Sequence, residues 1–290
     1  MASPTPIPIP SPTDTRGWTS LTTSLLSQLE AAGALAEAPA SLGHDVHLAP
    51  PQMARLIDHT LLKLDATGEQ VRALCEEARS EGFATVCVRL GFVEQAVALL
   101  EGSGVGVACV VGFHEGTYST EEKVAESRAA IAAGATELDI VLNWPLLQTQ
   151  PDPSYAAILS DLHALRAAAP RPTVLKLIFE TSQLSPLQIV TATALAAAAG
   201  FDCIKTSTGF NGRGASVQDV RLMKGALGLL GSSWEGTGRM FVKASGGVRS
   251  AGELKRVVAV GAGRIGTSSG VKIGVERRGR GCWRCYDMVL

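Results

Sequence analysis

The chain has 290 residues, 46% of them hydrophobic, and a formal net charge of −1. That is enough apolar side chain for one sizeable core, with no basic excess to suit a nucleic acid or an anionic membrane. No apolar run approaches the roughly 18 residues that span a bilayer, and the N-terminus lacks the basic start and apolar core of a secretory signal. The expected setting is therefore the cytoplasm, and the expected partner a small molecule.

In chain order, MASPTPIPIPSP places five prolines in twelve residues and reads as a disordered or polyproline-like tail. Leucines and alanines at helical spacing from Trp18 to about Ala38 predict a short amphipathic helix. Residues 1–50 thus form an accessory extension. From Met53 onward, short β-branched runs alternate with alanine-rich stretches, the rhythm of repeated βα units on a parallel sheet. Strands are predicted at 55–62, 84–90, 106–113, 136–143, 173–180, 201–208, 239–245 and 264–269. Helices are predicted at about 67–81, 92–101, 120–133, 154–169, 185–199, 216–230 and 250–261, several ending near a glycine able to cap them. Eight strands with intervening helices predict an α/β fold, a (β/α)8 TIM barrel over residues 51–272. GSGVGV (102–107) and GFNGRGAS (209–216) lack the spacing and context of a dinucleotide fingerprint.

Residues 273–290 form an atypical C-terminal tail. After Lys272 the chain reads IGVERRGRGCWRCYDMVL, rich in glycine and arginine where an amphipathic closing helix is needed. Cys75, Cys87, Cys109 and Cys203 stand in apolar segments as reduced core thiols, and Cys282 and Cys285 form a lone C-x-x-C without a second pair to complete a zinc site. No metal and no cofactor is expected.

In such a barrel, chemistry sits where strands end and βα loops begin. Charges late in apolar runs are Asp58, Asp139, Lys176, Glu180, Lys205 and Lys243. Lys205 and Lys243 recur in matching contexts, KTSTG and KASGG, on adjacent strands. Each could snorkel to solvent or pair with an acid. Together they could converge, one cation helping to keep Lys205 neutral enough to attack a carbonyl, with Asp139 as counter-charge and proton-transfer group. Gly246 and Gly247, then GTSSG (266–270) with Ser268 and Ser269, occupy the position where barrels hold phosphate through backbone N–H groups, with Arg249 as added charge. A lysine beside such a pocket predicts a small sugar phosphate or related aldehyde.

LIDHTLLK (56–63), VVGFHEG (110–116), GATELDIVLN (134–143), LKLIFET (175–181), IKTSTGF (204–210), VKASGGVRS (242–250) and RIGTSSG (264–270) resemble, in order and spacing, the 2-deoxyribose-5-phosphate aldolase family. The resemblance spans about residues 53–272. It implies a (β/α)8 barrel and a metal-independent class I aldolase that reversibly cleaves 2-deoxy-D-ribose 5-phosphate to D-glyceraldehyde 3-phosphate and acetaldehyde. It also implies Lys205 as the Schiff-base lysine, Lys243 as the lysine that perturbs it, and Asp139 as proton donor and acceptor. Asp58 and Thr60 match the family's Asp-x-Thr near the substrate hydroxyls, and Lys176 matches a supporting lysine. Gly209, Gly246, Gly247, Val248, Arg249, Gly266, Ser268 and Ser269 fall where the family holds phosphate. Arg89-Leu90 replaces the usual Asn-Pro after strand 2, and His114, read as an exposed loop residue, replaces a proline after strand 3. Tyr286 matches no family motif. The expected partners are a small phosphorylated sugar and, as the assembly considered, a second copy in a homodimer, with no nucleic acid and no membrane. Another lysine aldolase or transaldolase, or a phosphate-binding barrel without turnover, remain as alternatives.

Overall fold

The computed structural model describes residues 8–149, 153–231 and 240–278. Eight parallel strands close on themselves in sequence order: β1 (Ile57–Thr60), β2 (Thr85–Val88), β3 (Gly106–Val111), β4 (Glu137–Val141), β5 (Val174–Ile178), β6 (Cys203–Lys205), β7 (Phe241–Ser245) and β8 (Ala262–Thr267). β8 returns to β1 with Ile57 opposite Ile265 and Asp58 opposite Gly266. Helices α3 (Gly68–Glu81), α4 (Val93–Leu100), α5 (Thr120–Ala132), α6 (Tyr155–Ala168), α7 (Pro186–Ala198), α8 (Val217–Leu230) and α9 (Ala251–Ala259) connect them, and α10 (Gly270–Arg278) follows β8. Local chemistry starts these helices where the sequence suggests. Thr67 with Gln70, Ser119 with Glu122 and Ser185 with Gln188 make reciprocal caps, and Gly82 closes α3 in the left-handed conformation. From β1 to β6 the strands stop short of the apolar runs that announced them, because the last residues of each run leave the ladder to form the mouth, whereas β7 starts two residues late and β8 two residues early.

The β-branched and leucine side chains on the outer strand faces pack under the helices in one large core. Inside the barrel, Leu62, Cys87, Ala108, Val110, Phe113, Val141 and Ile178 form a smaller apolar cluster. Alternation along each strand places Asp58, Asp139, Lys176, Lys205 and Lys243 inside too, so the other side of the lumen is ionic.

The N-terminal helix runs from Thr15 to Ala31 (α1), shorter at its C-terminal end than the sequence suggests, and begins with Asp14 accepting from the Gly17 N–H at 2.8 Å. Its buried stripe, Trp18, Thr22, Leu25 and Leu29, has the spacing of one helix face. It lies on α7 and α8, where a Cβ on Gly225 would come within 2.5 Å of Leu29. Every residue of α7 from Ile189 to Ala197 is consequently buried, which explains its lack of a polar face. A short α2 (Pro50–Ala54) packs against α10.

At the end of the barrel the structure differs from what the glycines suggested. Residues 270–278 are helical, and Ile273 is fully buried. A Cβ on Gly270 would lie 2.9 Å from His59 and Phe83, and one on Gly274 would lie 2.9 Å from Glu81. These glycines let α10 sit close to β1 and α3, at the cost in helix propensity that made the segment hard to recognise. The Cys282–Cys285 pair, Tyr286 and the start of the proline-rich tail, residues 1–7, lie outside the described residues. Among the described residues no helix is long and apolar enough to cross a membrane.

Candidate active site

β4 carries the centre of the site. Asp139 is fully buried, and its Oδ1 accepts from Lys176 Nζ on β5 at 2.6 Å. Its Oδ2 accepts from Lys205 Nζ on β6 at 2.7 Å and from Lys243 Nζ on β7 at 2.8 Å. Lys205 and Lys243 are direct neighbours in the β6–β7 ladder. Two motifs that look alike in sequence thus deliver their ammonium groups to one carboxylate oxygen.

The cluster extends below this point. Lys243 also pairs with Asp58 Oδ2, while Lys176 reaches Glu137 at 2.6 Å and Asp58 at 3.6 Å. Arg264 of β8 bridges Asp58 at 2.6 Å and Glu137 at 3.0 Å. Four cations face three carboxylates, leaving one positive charge in excess. Burying these groups singly would be prohibitive, whereas the ring gives each an opposite partner. The lysines differ in how fully they are neutralised. Lys176 touches three carboxylates, Lys243 two, and Lys205 only the one it shares with both others.

Burial pushes the Asp139 carboxyl up, but Lys176, Lys205 and Lys243 outweigh it and hold it well below the usual carboxylate range. Asp58 is likewise depressed, its burial overcome by Lys243, Lys176 and Arg264. For Lys243, burial favours the neutral amine, yet Asp139 and Asp58 prevail and raise its pKa. Lys176 is raised well above the ordinary value, against burial, by Asp139, Glu137 and Asp58. Both lysines are therefore fixed cations. Cys87, 3.9 Å from Asp139, is pushed up to about 11 by burial and by that carboxylate, so it is a thiol.

Above the charges opens a cleft of about 240 Å³ lined by Thr60, Lys205, Thr208, Gly209, Gly246, Gly247, Val248, Arg249, Gly266 and Ser268, among others. Of the three site lysines only Lys205 lines it. Lys243, Lys176, Asp58 and Asp139 lie beneath. Gly246 and Gly247 have φ of +78° and +81°, which allows a sharp turn with no side chain between backbone and ligand. Gly266 is small for a different reason: a Cβ there would lie 3.0 Å from Lys243 Cε and 2.9 Å from Ser245 Cβ. Ser269 is not among the cleft-lining residues; its N–H donates to Thr267 Oγ1 at 2.9 Å at the start of α10. The arrangement offers an amine at the floor of a cleft, a shared carboxylate for proton traffic, and an exposed backbone rim suited to an anion.

Sequence reasoning missed Arg264 and Glu137. Each is two residues before a site residue on its strand, Gly266 or Asp139, and that period of two was the available signal. His114, expected to be exposed, is half-buried and stacks on Phe210 with centroids 5.0 Å apart at 15°. Arg89 lies over Phe113, 5.2 Å from the ring centroid, and donates to the Leu62 carbonyl at 2.9 Å. The two departures from the family pattern therefore sit near the cleft's edge, against Phe113 and against the cleft-lining Phe210.

The family model described as DeoC/LacD family aldolase matches residues 52–275. A deoxyribose-phosphate aldolase from Coccidioides immitis is 48% identical over 226 residues, 78% of this chain and 81% of that protein. One from Deinococcus radiodurans is 43% identical over 219 residues, 76% and 94% of the two chains. A Coccidioides immitis crystal structure aligns with a TM-score of 0.80 at 43% identity, covering 91% of this chain and 98% of that one. The tetrameric deoxyribose phosphate aldolase from Aeropyrum pernix aligns with a TM-score of 0.69 at 31% identity, covering 87% and 96%. The chain therefore belongs to the DeoC/LacD family of aldolases, and is an enzyme of the lyase class on a closed (β/α)8 barrel.

Proposed function

We propose that this chain reversibly cleaves 2-deoxy-D-ribose 5-phosphate to D-glyceraldehyde 3-phosphate and acetaldehyde through a Schiff base on Lys205. The observation that carries the reading is the asymmetry among Lys176, Lys205 and Lys243: of these three only Lys205 lines the cleft, and it has only one, shared, carboxylate. As the free amine it adds to the open-chain aldehyde, and loss of water gives an iminium. A base removes the C3 hydroxyl proton, the C2–C3 bond breaks, and its electron pair enters the iminium to form an enamine as glyceraldehyde phosphate leaves. Protonation at C2 and addition of water to the new iminium then release acetaldehyde and return the amine.

Asp139, 2.7 Å from Lys205 Nζ, is the group we assign to proton transfer, with an ordered water as relay. Lys243, its neighbour in the ladder, is the lysine we assign to perturbing it. Thr60 lines the cleft for contact with substrate hydroxyls, and Asp58 acts from below through Lys243 and Arg264. The Gly246–Arg249 stretch with Gly209, Gly266 and Ser268 is the proposed phosphate cradle. The reaction belongs to deoxyribonucleotide and deoxyribose phosphate catabolism, and we place it in the cytoplasm.

Acetaldehyde release from 2-deoxyribose 5-phosphate, coupled to alcohol dehydrogenase, tests the substrate. Turnover supports the assignment, and cleavage only of other sugar phosphates would refute it. A homodimer is the assembly we propose, with self-association in the Aeropyrum pernix relative as precedent; a monomer in sedimentation equilibrium would overturn it.

A further inference from the structure

Glu180 is the only non-glycine residue with positive φ among the described residues, at φ 58° and ψ 59°, and it is fully buried. A glycine would adopt that conformation without strain, so a glutamate held there points to a use for its side chain. The flanking backbone stays bonded to the end of β6: Phe179 N–H donates to Lys205 O and Thr181 N–H to Thr206 O, each at 2.9 Å. Between these anchors the Glu180 carboxylate receives the Thr208 hydroxyl and, at 3.4 Å to each oxygen, the Thr208 N–H. Thr208 Oγ1 in turn accepts from the Phe210 N–H at 3.1 Å. One carboxylate thus fixes both the hydroxyl and the backbone of a residue three positions after Lys205.

That loop forms one wall of the cleft, through Thr208, Gly209 and Phe210. Gly209 abuts the opposite wall, the position of its missing Cβ being 3.9 Å from Gly246 Cα. A shift at Thr208 is therefore transmitted to the glycine rim on which an anion would rest. We propose that Glu180 is a positioning residue for the phosphorylated end of the substrate, setting the spacing between the loop after Lys205 and the Gly246–Gly247 loop. The proposal rests on the aldolase reading above.

The test compares Glu180→Gly, Glu180→Gln and Thr208→Val in steady-state cleavage of 2-deoxyribose 5-phosphate and of unphosphorylated 2-deoxyribose, with melting temperatures in parallel. Glu180→Gly relieves the backbone strain, which offsets part of the cost of the lost Thr208 bonds, so it should still fold and melt cooperatively. It should nevertheless raise KM for the phosphorylated sugar about tenfold or more, the scale of one lost charge-assisted hydrogen bond, with kcat and the KM for deoxyribose little changed. Glu180→Gln should restore most of the affinity, and Thr208→Val should reproduce the defect without adding to it in the double variant. A folded Glu180→Gly with unchanged KM, or equal losses for both sugars, would overturn the proposal while leaving the aldolase assignment intact. A wild-type chain that releases no acetaldehyde from the phosphate ester would instead overturn both.

Discussion

The loops that leave β6 and β7 begin with almost the same residues, Lys-Thr-Ser-Thr-Gly and Lys-Ala-Ser-Gly-Gly, yet they hold their lysines in different surroundings. Lys205 borders the cleft and shares one carboxylate, whereas Lys243 lies beneath it between Asp58 and Asp139. The loops are also stitched together: Ser245 Oγ donates to Ser207 O at 2.5 Å, and Ser245 N–H donates to Thr206 Oγ1 at 3.1 Å. Three positions after each lysine they diverge, with Thr208 held by Glu180 in one and Gly246 left bare in the other. Two similar segments can thus divide a task when neighbouring carboxylates neutralise their cations unequally.

The division breaks most completely at Lys205. Lys205→Ala should reduce acetaldehyde release by a factor on the order of 10⁴ to 10⁶, as removal of other enzymes' nucleophiles does, with the fold retained. Lys243→Leu should slow turnover less, on the order of 10² to 10⁴, because the nucleophile remains and its perturbing cation is lost. The low-pH limb of its pH–rate profile should shift to higher pH, and an unshifted profile would contradict Lys243's assigned role.

Gly266→Ala probes the same lysine through packing. The added methyl would meet Lys243 Cε and Ser245 Cβ, and chemical denaturation should show a loss of about 1–3 kcal/mol. Activity should fall with it, because the displaced group is Lys243.

For the unaltered chain the expected effect of mild acid is small. Asp58 and Asp139 have depressed folded pKa values, so their stabilising contribution is fully present above the unfolded carboxylate value near 4 and is lost as pH falls through their folded values. Lys176 and Lys243 have raised values, so theirs is fully present below about pH 10 and is lost as pH rises through the folded values. Melting temperature should therefore hold a plateau from about pH 5 to 9 with respect to these groups. In Asp139→Asn, which leaves three buried cations short of a partner, stability should fall by about 3–5 kcal/mol.

Much of this was legible in the sequence because a barrel has a strong period. Seven of the eight strands fall within the predicted runs and β8 starts two residues before its own, and Asp58, Asp139, Lys176, Lys205 and Lys243 meet as their late positions suggested. Arg264 and Glu137 escaped because a charge early in a strand reads as surface, and only strand alternation turns it inward. Glu180 was visible as a late charge, but its left-handed backbone arises from the meeting of two loops and leaves no local signature. Helix α10 was obscured because Gly270 and Gly274 signal a break locally while serving close packing against Phe83 and Glu81.

The central claim is that Lys205, and not its near twin, attacks the substrate. Borohydride reduction in the presence of 2-deoxyribose 5-phosphate, followed by peptide mass mapping, tests it directly. One reduced adduct is expected, on Lys205, in the wild type and more slowly in Lys243→Leu. An adduct on Lys243 or Lys176, or none in folded and substrate-saturated protein, would contradict it.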